Sequence, residues 1–391
     1  MKFTFVSNYI NHHQQPFCDA MYEKLGEDFT FVATMPMEQE RVDMGWDMGA
    51  DELPYVKHLY EDPSCEQLIY DSDAVLLGWC EREDIAQRRL NSGKLTLRVS
   101  ERLYRTGTYK AISPRGLIAK YKEHIRYRNR PVFMLCAGAY AAADFHLIHA
   151  YPGKLLKWGY FPPFIEYDTD EIDRRLSNPK CVQIIWVGRF IALKHPEYMI
   201  RLAARLKAEG ENFHIHMVGD GEMFEEIRNR VRELVPDEVT MHGSLAPDEV
   251  RALMSECHIH ISTSNHLEGW GAVVNEGMNS GCIEIACDRM GAVPYLIEDN
   301  RNGLVYPGEV YESMEQVVLR VFHNWHGYAH LGGKAYRTIR DEWNADIAAD
   351  RLMGLMKALL GEIDDYELPK EGPLSPAPIL HTDLTYASMN R

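Results

Sequence analysis

Two glutamates, Glu268 and Glu276, frame a glycine-bounded tryptophan and a short apolar run in SNHLEGWGAVVNEGMNSG, Ser264 to Gly281. Such a pair of carboxylates can be a catalytic dyad, a clasp for ribose hydroxyls or solvated helix surface. Upstream, IIWVGRFIALKHPE places Arg189 and Lys194 just beyond a strand that ends at Val187-Gly188. Guanidinium and ammonium groups suit the oxygens of a diphosphate and stabilise charge on a departing phosphate, although cations in such a loop are equally well ordinary solvated side chains. A third stretch, FHIHMVGDGEMFEEIRNRV, sets Gly219-Asp220-Gly221 between a strand and a helix. A glycine turn there lets a ligand approach the backbone at an anion-attracting helix terminus; it also serves simply to join the two elements.

The surrounding pattern says what positions these groups. CHIHISTS reads as a strand, NHLEGWG as the loop after it and AVVNEGMNSG as a helix whose first amides, around Gly269 to Val273, face an anion. Glu276 falls on the inward side of that helix, where the nearby amino terminus favours a carboxylate able to accept two hydroxyl protons. Glu268 lies outside the helix, in the loop that precedes it. Strands KFTFVS, FTFVAT, AVLLGW, LTLRVS and PVFMLCAG in the first half are echoed by VQIIWVG, FHIHMVG, EVTMHG, IHISTS and CIEIAC in the second. Alternation with helical stretches predicts an α/β protein of two Rossmann-like domains with parallel sheets. The divide is expected near Tyr160 to Lys180, giving domains over 1–170 and 181–345, then a helix and extended, proline-rich tail over 346–391 that returns to the first domain. Ligands gather at the carboxyl ends of such strands, so two sheets facing each other would place the site in the cleft between them.

Composition narrows the function. A length of 391 residues favours two domains, and a net charge of −16 argues against a nucleic-acid partner, which needs clustered lysine and arginine. No apolar run is long enough to cross a membrane, and the opening MKFTFVSN is too brief for a signal peptide and reads as a strand. The eight cysteines form no C-x-x-C and read as buried free thiols in a reducing cytoplasm. Asp71-Ser72-Asp73 looks like a metal-binding D-x-D but reads better as a helix-to-strand connection, and no metal site is expected.

Taken in order, these features resemble the family 4 retaining glycosyltransferases of the GT-B fold, which carry G-R…K, G-x-G, H-G and E-x7-E in their carboxyl-terminal domain. The match runs from Gln183 to Leu360 and includes MHGSLAPDEV and GAVPYLIEDNRNGLVYPGE. The resemblance implies that Arg189 and Lys194, beside Gly188, hold the donor diphosphate, with Gly219 in the following turn. It implies that Glu276 binds the nucleotide ribose and that Glu268 contacts the donor sugar. Amides of Gly269, Trp270, Gly271, Ala272 and Val273 would touch sugar and phosphate, and residues around Gly243 would flank the base. It further implies a nucleotide-diphosphate sugar as donor substrate, no cofactor and no obligatory metal, because the fixed cations neutralise the leaving group.

The amino-terminal half is expected to bind the acceptor, a glycan or lipid-linked molecule, with His12, His13 or Glu101 as candidate contacts. In SPRGLIAKYKEHIRYRNRP, Ser113 to Pro131, the cations within 115–130 surround an apolar face of Leu117, Ile118, Tyr121 and Ile125. Such a basic amphipathic helix can rest on an anionic membrane, or pack its apolar face into the core. The leading expectation is a cytoplasmic transferase in bacterial surface polysaccharide or glycoconjugate synthesis, and it is peripheral at the inner face of the membrane only if that helix rests on lipid rather than packing into the core. A sugar-nucleotide epimerase, a phosphorylase and a non-catalytic nucleotide-sugar-binding partner share the same contacts.

Overall fold

The structure, a computed structural model, describes residues 1–39, 49 and 52–381. The chain divides into two compact units, Met1–Pro163 with Trp343–Arg391, and Phe164–Glu342. All ten strands expected from the sequence are present, and three short ones join them.

The first unit holds a parallel sheet of β1 (Phe3–Ser7), β2 (Phe29–Ala33), β3 (Val56–His58), β4 (Ala74–Leu77), β5 (Leu95–Ser100), β6 (Val132–Ala137) and β7 (Leu155–Trp158) in the order β3-β2-β1-β4-β5-β6-β7. Its central strands are apolar on both faces, as in AVLL of β4, where all four residues are buried. Parallel strands covered by helices on both sides require this. Arg89 is fully buried and donates to the carbonyls of Ile69, Ser72, Asp73 and Leu95, pinning the amino ends of β4 and β5. Asp71-Ser72-Asp73 is the helix-to-strand connection before β4. Asp73 accepts from the Lys2 amide at 2.7 Å, and Ser72 is buried against Thr4.

After the second unit the chain returns. The helix Ala345–Leu359 packs on the helix Gln15–Leu25, with Lys24 bonded to Asp350 at 2.8 Å. The tail then pairs antiparallel with the outer edge of β7: Leu374 donates to Lys157, Lys157 to Ser375 and Ala377 to Leu155. An otherwise open strand edge is thereby covered. Residues 382–391 of that tail lie outside the described residues.

The second unit holds β8 (Val182–Val187), β9 (Phe213–Val218), β10 (Val239–Gly243), β11 (Ile259–Ser262), β12 (Ile283–Cys287) and β13 (Leu304–Tyr306) in the parallel order β10-β9-β8-β11-β12-β13. Each sheet reverses its strand order beside its first strand, at β1/β4 and β8/β11, the point where open α/β sheets bind ligands. All eight cysteines are free thiols, and among the described residues no helix is long and apolar enough to cross a membrane.

Candidate functional site

In the second unit three loops meet at the carboxyl ends of β8, β9 and β11. Gly188 donates to Val218 at 3.0 Å, Phe190 to Asp220 at 2.8 Å and Met223 back to Phe190 at 2.8 Å, so the loops after β8 and β9 are bonded to each other. Gly219 and Gly221 have φ of 125° and 152°, and a Cβ on them would stand 2.1 Å from the Gly188 oxygen and 2.7 Å from the Phe190 oxygen. The close approach that these glycines permit is that of the neighbouring loop.

Lys194 ends a short turn, Ala192–Lys194, and its ammonium forms an ion pair with Glu268. The loops carrying them are bonded together: Asn265 donates to Leu193 at 2.9 Å, and the Thr263 hydroxyl donates to the Lys194 carbonyl while accepting from the Trp186 indole at 2.7 Å. A buried indole on β8 thus fixes where the lysine stands. Arg189 is exposed; its carbonyl accepts from Ile191 at 2.9 Å, and its guanidinium has no hydrogen bond or ion pair among the described residues.

Gly269 and Trp270 are buried. The Trp270 indole donates to Asn275 at 2.9 Å and its carbonyl accepts from Ala292 at 2.9 Å, so this side chain belongs to the core. Gly271, with φ of 95°, opens the helix Ala272–Asn279, whose first amides, on half-exposed Ala272 and Val273, are the orphan donors of a helix start. Glu276 is partly exposed and its carboxylate accepts no hydrogen bond among the described residues. Burial raises its pKa above the ordinary value, opposed by Arg251 and His260. Gly243 ends β10, where it accepts from Gly219 at 2.8 Å, and the neighbouring His242 bonds His216 at 3.0 Å. Among the described residues no group of acids, histidines and cysteines is arranged to hold a metal.

A pair that the motifs do not reveal lies beneath this helix. His260 on β11 and Glu284 on β12 are fully buried and bonded at 2.7 Å, and Ser262 donates to the other Glu284 oxygen at 3.0 Å. Burial raises Glu284, and His260 and Ser262 oppose the rise. Gly277 rests directly on the pair: a Cβ there would stand 2.5 Å from Glu284 Oε2 and 2.6 Å from His260 Nδ1. The signal available in the sequence was one acid inside the apolar strand IEIAC.

The first unit has a cavity of about 670 Å³ at the carboxyl ends of its strands, lined among others by Asn11, Trp79, Arg98, Glu101, Arg105 and Lys120. His13 also lines it, and its ring stacks on Tyr160 at 5.9 Å, while His12 packs against His13 at 3.8 Å. Burial holds the two imidazoles at about 4 for His12 and about 3 for His13, where His12 adds to the shift, so both are neutral. Glu101 accepts from the Tyr160 hydroxyl at 2.6 Å and pairs with Arg105. In the nearby helix Pro114–Glu123, no described side chain is buried; Leu117, Ile118 and Tyr121 are 45, 58 and 57% exposed. Leu117, Ile118 and Tyr121 are therefore on the surface, whereas Ile125, the fourth residue of the expected face, lies beyond the helix end in the short turn Ile125–Tyr127 and packs on the core.

Comparison with known proteins agrees with this architecture. Residues 168–338 match the family described as glycosyl transferases group 1. A GDP-mannose-dependent alpha-(1-6)-phosphatidylinositol monomannoside mannosyltransferase of Mycobacterium tuberculosis is 19% identical over 213 residues, 51% of this chain and 55% of that protein. The alpha-D-kanosaminyltransferase of Streptomyces kanamyceticus is 25% identical over 201 residues, 50% of this chain and 52% of that protein. The chain spans about half the length of these curated relatives. The crystal structure of Anabaena HepE in complex with UDP superposes with a TM-score of 0.67 at 13% identity, covering 92% of this chain and 100% of that one. Through residues 168–338 the chain is related to the group 1 glycosyl transferases, and its two Rossmann-like units are those of the GT-B fold.

Proposed function

We propose that the protein is a retaining glycosyltransferase that moves a sugar from a nucleotide-diphosphate sugar to an acceptor hydroxyl, in bacterial surface polysaccharide or glycoconjugate synthesis. The observation that carries this reading is the meeting of Arg189, Lys194, Glu268 and the open amino end of the helix Ala272–Asn279 on loops at strand carboxyl ends, inside the segment that matches the family. In this reading the second unit holds the donor and the first the acceptor. Arg189 and Lys194 bind the diphosphate, Glu276 accepts the ribose hydroxyls and Glu268 contacts the sugar. The Glu268 ion pair holds Lys194 in place before the donor arrives, and the diphosphate then shares that ammonium. As the glycosidic bond to the diphosphate breaks, the two cations stabilise the departing charge, and a phosphate oxygen takes the acceptor's proton. The site works without a bound metal.

The reading places the protein in the cytoplasm, with the exposed apolar and basic helix Pro114–Glu123 resting on the anionic inner face of a membrane that carries the acceptor. The donor is a nucleoside-diphosphate sugar, as the names of the similar proteins, one GDP-mannose-dependent and one crystallised with UDP, suggest. A thermal-shift panel of nucleoside diphosphates and their sugars, with and without magnesium, tests this. Ligands that bind only the folded state raise its melting temperature. One base should give a metal-independent shift; folded protein that shifts with none of them refutes the donor assignment.

A further inference from the structure

The cavity of the first unit has a chemical bias that runs against the rest of the chain. The whole protein carries a net charge of −16, yet the cavity is lined by Arg98, Arg102, Arg105 and Lys120 against only Glu101 and Glu123. Three of the cations have acidic partners: Arg102 with Asp144 at 3.5 Å, Arg105 with Glu101, and Lys120 with Glu123. Arg98 is different. Its guanidinium donates to the Glu123 carbonyl at 2.5 Å, the Tyr151 hydroxyl at 2.8 Å and His124 Nδ1 at 3.1 Å, and it has no carboxylate in ion-pair range among the described residues. His124 adds no negative charge, because burial holds it neutral, at about 2, with Arg98 itself adding to the shift. A half-buried guanidinium is thus positioned by neutral groups and left with its charge unanswered.

The same cavity carries an exposed indole. Trp79 follows β4 and is 60% exposed, although large aromatics are ordinarily well buried. An aromatic ring in a polar cavity offers a flat apolar face, to which the C–H face of a pyranose is complementary. Asn8, Asn11 and Gln14 add hydroxyl-binding amides to the lining. The volume of about 670 Å³ lies within the range of about 300–1,000 Å³ typical of small-molecule sites.

We infer that this cavity binds an acidic sugar, with a pyranose ring packed on Trp79 and its carboxylate or phosphate facing Arg98. The inference rests on the proposed transfer reaction in that the occupant is then the acceptor, and it narrows that acceptor to an anionic one. The anion comes either from a uronic acid residue or from the phosphate of a lipid-linked sugar, and both present the same oxygens to the guanidinium.

The test is a titration of the full chain, followed by intrinsic fluorescence and calorimetry, with three probes: trigalacturonate, farnesyl phosphoryl glucose, and neutral maltotriose. Either acidic probe should bind at least about tenfold more tightly than maltotriose, the scale of one charge-assisted hydrogen bond. Binding by trigalacturonate alone identifies a uronic acid, and binding by the phosphoryl sugar alone identifies the lipid phosphate. Trp79→Ala, at an exposed position that cannot unfold the core, should weaken the preferred probe about tenfold, and Arg98→Lys should narrow its preference over maltotriose. Nucleoside diphosphate shifts measured on the same samples should be unchanged, which separates failure of this inference from failure of the donor assignment. Equal binding of maltotriose, no binding of either acid at millimolar concentration, or an unaffected Trp79→Ala variant overturns the inference.

Discussion

Gly277 offers a quantitative test of how the helix Ala272–Asn279 is seated. Its backbone is helical with ordinary φ, so alanine is acceptable to the chain itself and by intrinsic propensity favours the helix by about 1 kcal/mol. The obstacle is the buried pair beneath it, since an added methyl would stand 2.5 Å from Glu284 Oε2 and 2.6 Å from His260 Nδ1. Overpacking against an immobile core costs about 1–3 kcal/mol. Displacing the pair so that a buried polar atom loses its partner costs about 1–3 kcal/mol more. Subtracting the propensity gain leaves a net loss of roughly 1–5 kcal/mol, centred near 3. For a unit the size of Phe164–Glu342 this lowers Tm by about 6–12 °C. Scanning calorimetry of Gly277→Ala would measure it. In a His260→Ala/Glu284→Ala background the opposing atoms are gone, and the same substitution should be neutral or stabilising. An unchanged or raised Tm for Gly277→Ala alone refutes the reasoning.

Acid sensitivity is a second expectation. Burial holds His12, His13, His124, His216 and His258 at about 4, 3, 2, 4 and 4 against an ordinary 6.5, so the unfolded chain binds more protons and stability is lost as pH falls from about 6.5 towards 4. The raised carboxyls Glu276 and Glu284 act in the opposite sense, gaining protons in the folded state, but they are outnumbered by the lowered histidines, among which burial also lowers His242 and His330. The unfolding temperature should fall between pH 7 and pH 5, and a flat profile contradicts the assignment of neutral buried imidazoles. Arg189→Ala and Glu276→Ala should each weaken nucleoside diphosphate-sugar binding about 10–100-fold, the scale of charge-assisted contacts, with Tm of the free protein nearly unchanged. Wild-type affinity in both variants removes them from the donor site. For the exposed face of Pro114–Glu123, flotation with anionic vesicles at low salt should capture the protein, and Leu117→Ser/Ile118→Ser/Tyr121→Ser should release it. Failure of the parent chain to float excludes the membrane contact.

The sheet framework was legible because its strands announce themselves as apolar runs: FTFVS, VFMLCA, VQIIWV and IEIAC are five or six residues long, and the shorter AVLL is apolar throughout. The three additional strands were not, since VKH, LLKW and LVY are three or four residues long and have too little pattern to separate from loops. At the candidate site, residue types and order suggested phosphate and hydroxyl chemistry for Arg189, Lys194, Glu268 and Glu276. What no spacing could reveal is which groups meet across the chain. The Lys194–Glu268 pair joins residues 74 positions apart, and the Trp186–Thr263 contact that fixes it spans 77. The glycines illustrate the same limit: Gly219 and Gly221 signalled close approach, and only coordinates identify the neighbour as the loop of Phe190. Trp79 and Arg98 fell inside the recognised runs AVLLGW and LTLRVS, where nothing local distinguishes a cavity wall from the sheet.

The return of the chain to its first unit has a consequence for synthesis. The second unit is continuous and can fold as soon as it leaves the ribosome, whereas the first is left with the outer edge of β7 bare and the helix Gln15–Leu25 without its packing partner. The residues that complete it arrive roughly 200 positions after Pro163, about 10–40 s later at ordinary elongation rates. During that interval the nascent chain carries an unsealed strand, and the later-made domain is finished before the earlier one.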